Sequence, residues 1–222
     1  MDILLDGKLR WGDDEIIYMI VGGDAEPEAL LPDEWALLAH RNHPRRRHRY
    51  CLGRLGIQEA LRRNGFDDVV GTPVVMDEQG KSYWGGDKPT NLSFSIAHHG
   101  EVTVIALAPE SVKVGVDIEK VAEMFDRQLE PLLTPEEKKF VESMGPEMTE
   151  ERNTGATALW VAKEALSKST GGGWMAHQQD FPLKDIHYSE NKMSCKFSNG
   201  EKWHVETMIT PWGMVAISGI QY

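Results

Sequence analysis

Residues 113–119 alternate strictly, with Val114, Val116 and Ile118 on one parity and Gly115, Asp117 and Glu119 on the other. An extended strand satisfies a period of two and a helix does not, so this segment is expected to be a strand with one apolar face. Its second face then carries two carboxylates side by side, which repel. Such a pair either points to solvent at a strand end or shares a cation, and oxygen donors of this kind suit magnesium. The pattern Asp-x-Glu is common by chance, so this segment does not choose between those readings.

The rest of the chain mixes that period with helical spacing. Residues 15–21, with Ile16, Ile17, Tyr18, Met19, Ile20 and Val21, read as a strand ended by Gly22-Gly23. Asp33 is placed to cap a helix running through Trp35, Leu37 and Leu38 towards Pro44, and a second helix over 45–63 meets the stop signal Asn64-Gly65. Leu92, Phe94 and Ile96, then Val102, Val104, Ile105 and Leu107, flank the break His98-His99-Gly100 and predict a hairpin. Thr134-Pro135-Glu136-Glu137 offers a cap, a first-turn proline and early acids for a helix to about Met144. Residues 145–155 read as loop, and 156–169 as a helix halted by Gly171-Gly172-Gly173. From 181 to 222 the chain alternates like a strand meander, with turns at Ser198-Asn199-Gly200 and Pro211-Trp212-Gly213.

On the helix over 156–169, Trp160, Glu164 and Lys168 recur every four residues and share a face, flanked by Lys163 and Ser167. Periodicity alone favours a solvated, salt-bridged face, with Glu164 as a third acid for a cation the sharper alternative. Arg41, Arg45, Arg46, Arg47, Arg49, Arg54, Arg62 and Arg63 crowd into one stretch. Planar guanidinium forks match phosphate oxygens, although an exposed helix or an RNA contact also fits. Gly85-Gly86-Asp87-Lys88-Pro89 is a turn with a lysine and backbone donors, and such turns usually only connect strands. His98 and His99 have no His-Glu-x-x-His or cysteine spacing nearby, so zinc is disfavoured.

Bulk properties narrow the classes. A chain of 222 residues builds one large domain or two small ones, each with a core. A formal charge of −11 disfavours general nucleic-acid binding, so an anionic ligand must meet a local basic patch. Charged residues interrupt the opening segment, and no apolar run is long enough to span a bilayer, so the expectation is a cytoplasmic protein without a membrane partner. Cys51 and Cys195 lack any paired spacing and are expected to be reduced and packed.

Taken in order, Lys88-Pro89, then Phe94-Ser95-Ile96-Ala97-His98-His99-Gly100, then Val114-Gly115-Val116-Asp117-Ile118-Glu119, then Trp160-Val161-Ala162-Lys163-Glu164-Ala165-Leu166-Ser167-Lys168 resemble the Sfp-type 4'-phosphopantetheinyl transferases. The likeness covers about 88–168, and Leu52-Gly53-Arg54 extends it weakly towards the N-terminus. The last two motifs are the specific ones. The resemblance implies an α+β fold of two pseudo-symmetric α/β halves, 1–111 and 112–222. Each would pair a small, mostly antiparallel sheet with helices, the active site lying at their interface and a monomer sufficing. It further implies Mg2+ held by Asp117, Glu119 and Glu164 and by the pyrophosphate of coenzyme A. Lys168 would contact the same phosphates, and Lys88 with Pro89, His98 and some of Arg46, Arg47 and Arg54 would hold the nucleotide end. The family usually carries Ser-x-Ser-His before the glycine, so Ala97 replaces a hydroxyl. That change removes one hydrogen bond, about 1–3 kcal/mol to a charged acceptor.

The reaction implied is transfer of 4'-phosphopantetheine to a serine of an apo acyl or peptidyl carrier protein, of fatty-acid, polyketide or nonribosomal-peptide type. Asp117, Glu164 and Lys168 would form the catalytic group. Glu164, directly or through water, would take the serine proton, with Glu136 the alternative base. Two rival expectations stand beside it: a coenzyme A-binding module of the same fold without turnover, motivated by Ala97, and an unrelated magnesium-dependent phosphohydrolase.

Overall fold

The structure, a computed structural model, describes residues 1–78, 80–87, 90–122, 132–171, 182–189, 192–197 and 203–221. It is α+β, with antiparallel sheets and, among the described residues, four α-helices. The chain divides into two compact units, Met1–Glu110 and Ser111–Tyr222.

In the first unit, β1 (Asp2–Trp11), β2 (Asp14–Gly22), β5 (Leu92–His99) and β6 (Val102–Pro109) form an antiparallel sheet in the order β1-β2-β6-β5. Two short strands, β3 (Val74–Met76) and β4 (Ser82–Trp84), pair separately. Helix α1 (Pro32–Leu38) starts two residues earlier than expected. Leu31 occupies the cap position and Asp33 lies inside the first turn, because Pro32 has no N–H to lose at N1 and the Glu34 carboxylate accepts the Leu31 N–H at 3.2 Å. Helix α2 (Pro44–Arg63) lays Leu52, Ile57, Ala60 and Leu61 against Met19, Val21, Ile105 and Leu107 of the sheet, closing the first core.

In the second unit, β7 (Val112–Glu119), β8 (Leu183–Ser189), β9 (Lys192–Phe197), β10 (Trp203–Thr210) and β11 (Gly213–Gln221) run antiparallel in the order β7-β11-β10-β9-β8. The meander expected over 181–222 is present. The 211–213 turn joins β10 to β11, while Ser198-Asn199-Gly200 lies outside the described residues. Helix α3 (Pro135–Ser143) opens with the expected cap: Thr134 Oγ1 accepts the Glu137 N–H, and Glu137 Oε2 accepts the Thr134 N–H at 2.7 Å.

Helix α4 (Glu150–Thr170) overturns the loop expected over 145–155. Thr149 caps it, accepting from Arg152 N, and the weak helix formers Asn153, Thr154 and Gly155 lie in its second turn. Packing overrides their propensity, since a Cβ at Gly155 would come within 3.0 Å of Met144 Cγ. The helix ends at Gly171, whose φ of 78° is the left-handed cap that glycine adopts without strain. Its Ala158, Leu159, Ala162, Ala165 and Leu166 close the second core against Met193, Cys195, Val205, Met214 and Ala216. Each fully buried leucine there is worth about 1.5–3 kcal/mol. Cys51 and Cys195 are both free and buried. Among the described residues no helix is long and apolar enough to cross a membrane.

Candidate functional site

The alternation in β7 does more than hide one face. Val112, Val114, Val116 and Ile118 are buried on one side, and Gly115 and Asp117 are buried on the other beneath α4. The helix comes this close because residue 115 has no side chain. A Cβ there would overlap the Ala165 carbonyl oxygen and stand 2.7 Å from both Ser169 N and Ser218 Oγ. At that separation Lys168, in the last turn of α4, reaches the strand. Its ammonium donates to Asp117 Oδ1 at 2.7 Å and to the Val116 carbonyl at 3.0 Å. Asp117 Oδ2 is buried and, among the described residues, has no hydrogen-bond partner.

Glu164 stands one turn before Lys168 and is 6% exposed. Its carboxyl is pushed up from 4.5 to about 7, first by burial, then by repulsion from Asp117, with a smaller contribution from Glu119 and with Lys168 opposing. These four side chains therefore share one electrostatic environment, and the solvated face suggested by helix periodicity is corrected to a buried polar one. Among the described residues, however, no three His, Cys, Asp or Glu side chains are grouped as a metal cage. The expected cage of Asp117, Glu119 and Glu164 is not preassembled, and the charge on Asp117 is met by Lys168 instead. The donor chemistry still suits a hard divalent cation: among the described residues Asp117 Oδ2 is orphaned, and Asp117 and Glu119 disfavour the charged form of Glu164, a repulsion that a cation would relieve.

A second ionic contact underlies the same helix. Lys163, adjacent to Glu164, turns the other way and is 1% exposed. Its ammonium meets Glu137 Oε2 at 2.7 Å and donates to the Leu132 carbonyl at 3.0 Å. Burial lowers the proton affinity of Lys163, and Glu137 works against that shift. The thiol of Cys195 is pushed up by burial and then by Glu137. Sequence reading missed this pair. The spacing Thr134-x-x-Glu137 announces a capping box, but nothing in it announces that the same carboxylate will hold a lysine 26 positions on. Glu136, the alternative base, is exposed on the first turn of α3.

In the first unit the arginines that are crowded in sequence have different surroundings, although Arg41 and Arg54 meet at the Tyr50 ring, 4.6 and 4.1 Å from its centroid. Arg54 is 3% exposed, stacked 4.1 Å from the Tyr50 ring centroid, with Nε donating to the Val74 carbonyl. Arg47 donates to the carbonyls of Leu38 and Arg41. Both make these contacts within the unit. Arg46 is exposed in the first turn of α2. His98 lies on β5 opposite Thr103 of β6, with Nδ1 at 2.7 Å from the Thr103 hydroxyl, a cross-strand partner the hairpin register could have named. Ala97 is 3% exposed. Lys88 and Pro89 lie outside the described residues.

Compared with known proteins, residues 113–213 match the family described as the 4'-phosphopantetheinyl transferase superfamily. That span runs from β7 to the start of β11 and contains Asp117, Glu119, Glu164 and Lys168. No curated protein matches the chain.

Proposed function

We propose, from the match of residues 113–213 to the 4'-phosphopantetheinyl transferase superfamily, that this chain transfers the 4'-phosphopantetheine arm of coenzyme A to a serine of an apo carrier protein. Adenosine 3',5'-bisphosphate is the second product. The observation that carries this reading is the convergence of Lys168 and Glu164 from α4 on Asp117 of β7.

In the reaction, the carrier serine Oγ attacks the phosphorus attached to the pantetheine arm. A new P–O bond forms and the pyrophosphate bridge bond breaks, leaving the bond's electrons on the departing nucleotide. The barrier is set mainly by charge on the phosphate oxygens and by alignment. Asp117, Glu119 and Glu164 would hold a divalent cation, Mg2+, which supplies electrostatic stabilisation of the pyrophosphate when bound. Lys168, 2.7 Å from Asp117 Oδ1, gives its ammonium to the phosphate oxygens in this reading. Glu164 is the proton acceptor for the serine hydroxyl. It acts directly or through water from beside Asp117 and Lys168, whereas Glu136 faces solvent. The nucleotide end falls to Lys88, Pro89, His98 and the exposed Arg46. Arg47 and Arg54 act indirectly, by shaping the first unit.

Mass spectrometry of several apo carriers incubated with the protein, coenzyme A and Mg2+ tests the proposal. A carrier that gains the mass of phosphopantetheine on serine supports it. Coenzyme A binding without transfer to any carrier would instead indicate a binding module, and release of inorganic phosphate from nucleotides without protein modification a phosphohydrolase.

A further inference from the structure

Glu137 and Lys163 form an ion pair with both side chains at 0–1% exposure, next in sequence to the residue proposed as base. Pairs of this kind are poor stabilisers, because two desolvation penalties offset the attraction and an apolar pair of similar volume often does as well. Their geometry, by contrast, is directional. The Lys163 ammonium is held by Glu137 Oε2 at 2.7 Å and by the Leu132 carbonyl at 3.0 Å. Glu137 is fixed in turn, since the same carboxylate oxygen accepts the Thr134 N–H at the cap of α3. A leucine in place of Lys163 would tolerate rotation of α4 about its axis, whereas an ammonium held by two acceptors does not.

Neighbouring residues on a helix point about 100° apart. Fixing Lys163 towards α3 therefore fixes the azimuth at which Glu164 and Lys168 meet β7. We infer that Lys163 and Glu137 are positioning residues for the reaction, a buried clamp that sets the rotation of α4 and so the aim of Glu164 and Lys168 at Asp117. This rests on the proposed function. It adds a role for two residues outside the proposed cation and phosphate contacts.

Removing one partner strands the other as a buried charge and risks unfolding, so the informative variant is the double change Lys163→Met with Glu137→Gln, in which Gln can still accept the Thr134 N–H. The experiment uses the full chain and three readouts: thermal unfolding, Mn2+ affinity by calorimetry without coenzyme A, and kcat at saturating coenzyme A and Mg2+. The clamp predicts an unfolding midpoint close to that of the parent, together with roughly tenfold weaker Mn2+ binding and roughly tenfold lower kcat. Parental Mn2+ affinity and kcat in the double variant would overturn the positioning role while leaving the proposed function intact. A parent chain that neither binds Mn2+ nor transfers phosphopantetheine would overturn both. A single Lys163→Arg variant, which keeps the charge and its donors, is expected to recover part of the lost Mn2+ affinity.

Discussion

Gly115→Ala is the smallest change that separates β7 from α4. The added methyl would overlap the Ala165 carbonyl oxygen and lie 2.7 Å from Ser169 N and Ser218 Oγ. Two of those three atoms are helix backbone, so no side-chain rotation relieves the clash and the helix must retreat by on the order of 1 Å to restore ordinary contact. Overpacking of this kind costs about 3 kcal/mol, at the upper end of the usual range because backbone is involved. For a protein of this length that lowers the unfolding midpoint by roughly 6–12 °C. The same retreat stretches the 2.7 Å contact of Lys168 with Asp117 beyond hydrogen-bonding length, so transfer activity should fall further than the folded population does. Calorimetric unfolding, with turnover assayed well below the transition, measures the two effects separately. A variant within about 1 °C of the parent and fully active would refute the claim that the missing side chain sets the helix–strand distance.

Glu164 makes stability depend on pH with a definite sign. Its carboxyl titrates near 7 in the folded chain against 4.5 unfolded, so the folded state holds the extra proton between those values. The favourable contribution is complete below pH 4.5 and is lost as pH rises through about 7. Glu164→Gln removes that loss, and in chelator it should be more stable than the parent at pH 8 by about 1–3 kcal/mol but not at pH 4, measured by urea unfolding. Divalent cations compete with the same proton, so Mn2+ affinity of the parent should rise as pH passes from 6 to 8 in calorimetry. Arg54→Ala, which empties a buried stack on Tyr50, should cost about 2–4 kcal/mol in urea unfolding. Arg46→Ala should leave stability within about 0.5 kcal/mol and weaken coenzyme A binding in calorimetry. Thr134→Ala should cost about 1 kcal/mol through loss of the α3 cap, read from the urea midpoint.

The elements with strong local signatures were legible in the chain itself. The period of two in β7, the Thr134-Pro135 cap of α3, the hairpin around His98-His99-Gly100 and the glycine stop of α4 each follow from constraints that act within a few residues. The motif pairing of Asp117 and Glu119 with Glu164 and Lys168 was legible too, as chemistry without distances.

Tertiary structure decided what local rules cannot reach. The first turns of α4 form from weak helix formers because Gly155 fits against Met144, a gain that appears only on packing. Arginines adjacent in sequence were divided among a buried stack, carbonyl contacts and solvent, because successive residues on a helix face different surroundings. Lys163 and Glu137 became a buried pair, and Glu164 acquired its high proton affinity, through desolvation and through charges brought close from distant segments. Sequence named the groups proposed to carry the chemistry. Their protonation, partners and aim depend on neighbours tens of residues away, which only the folded chain brings together.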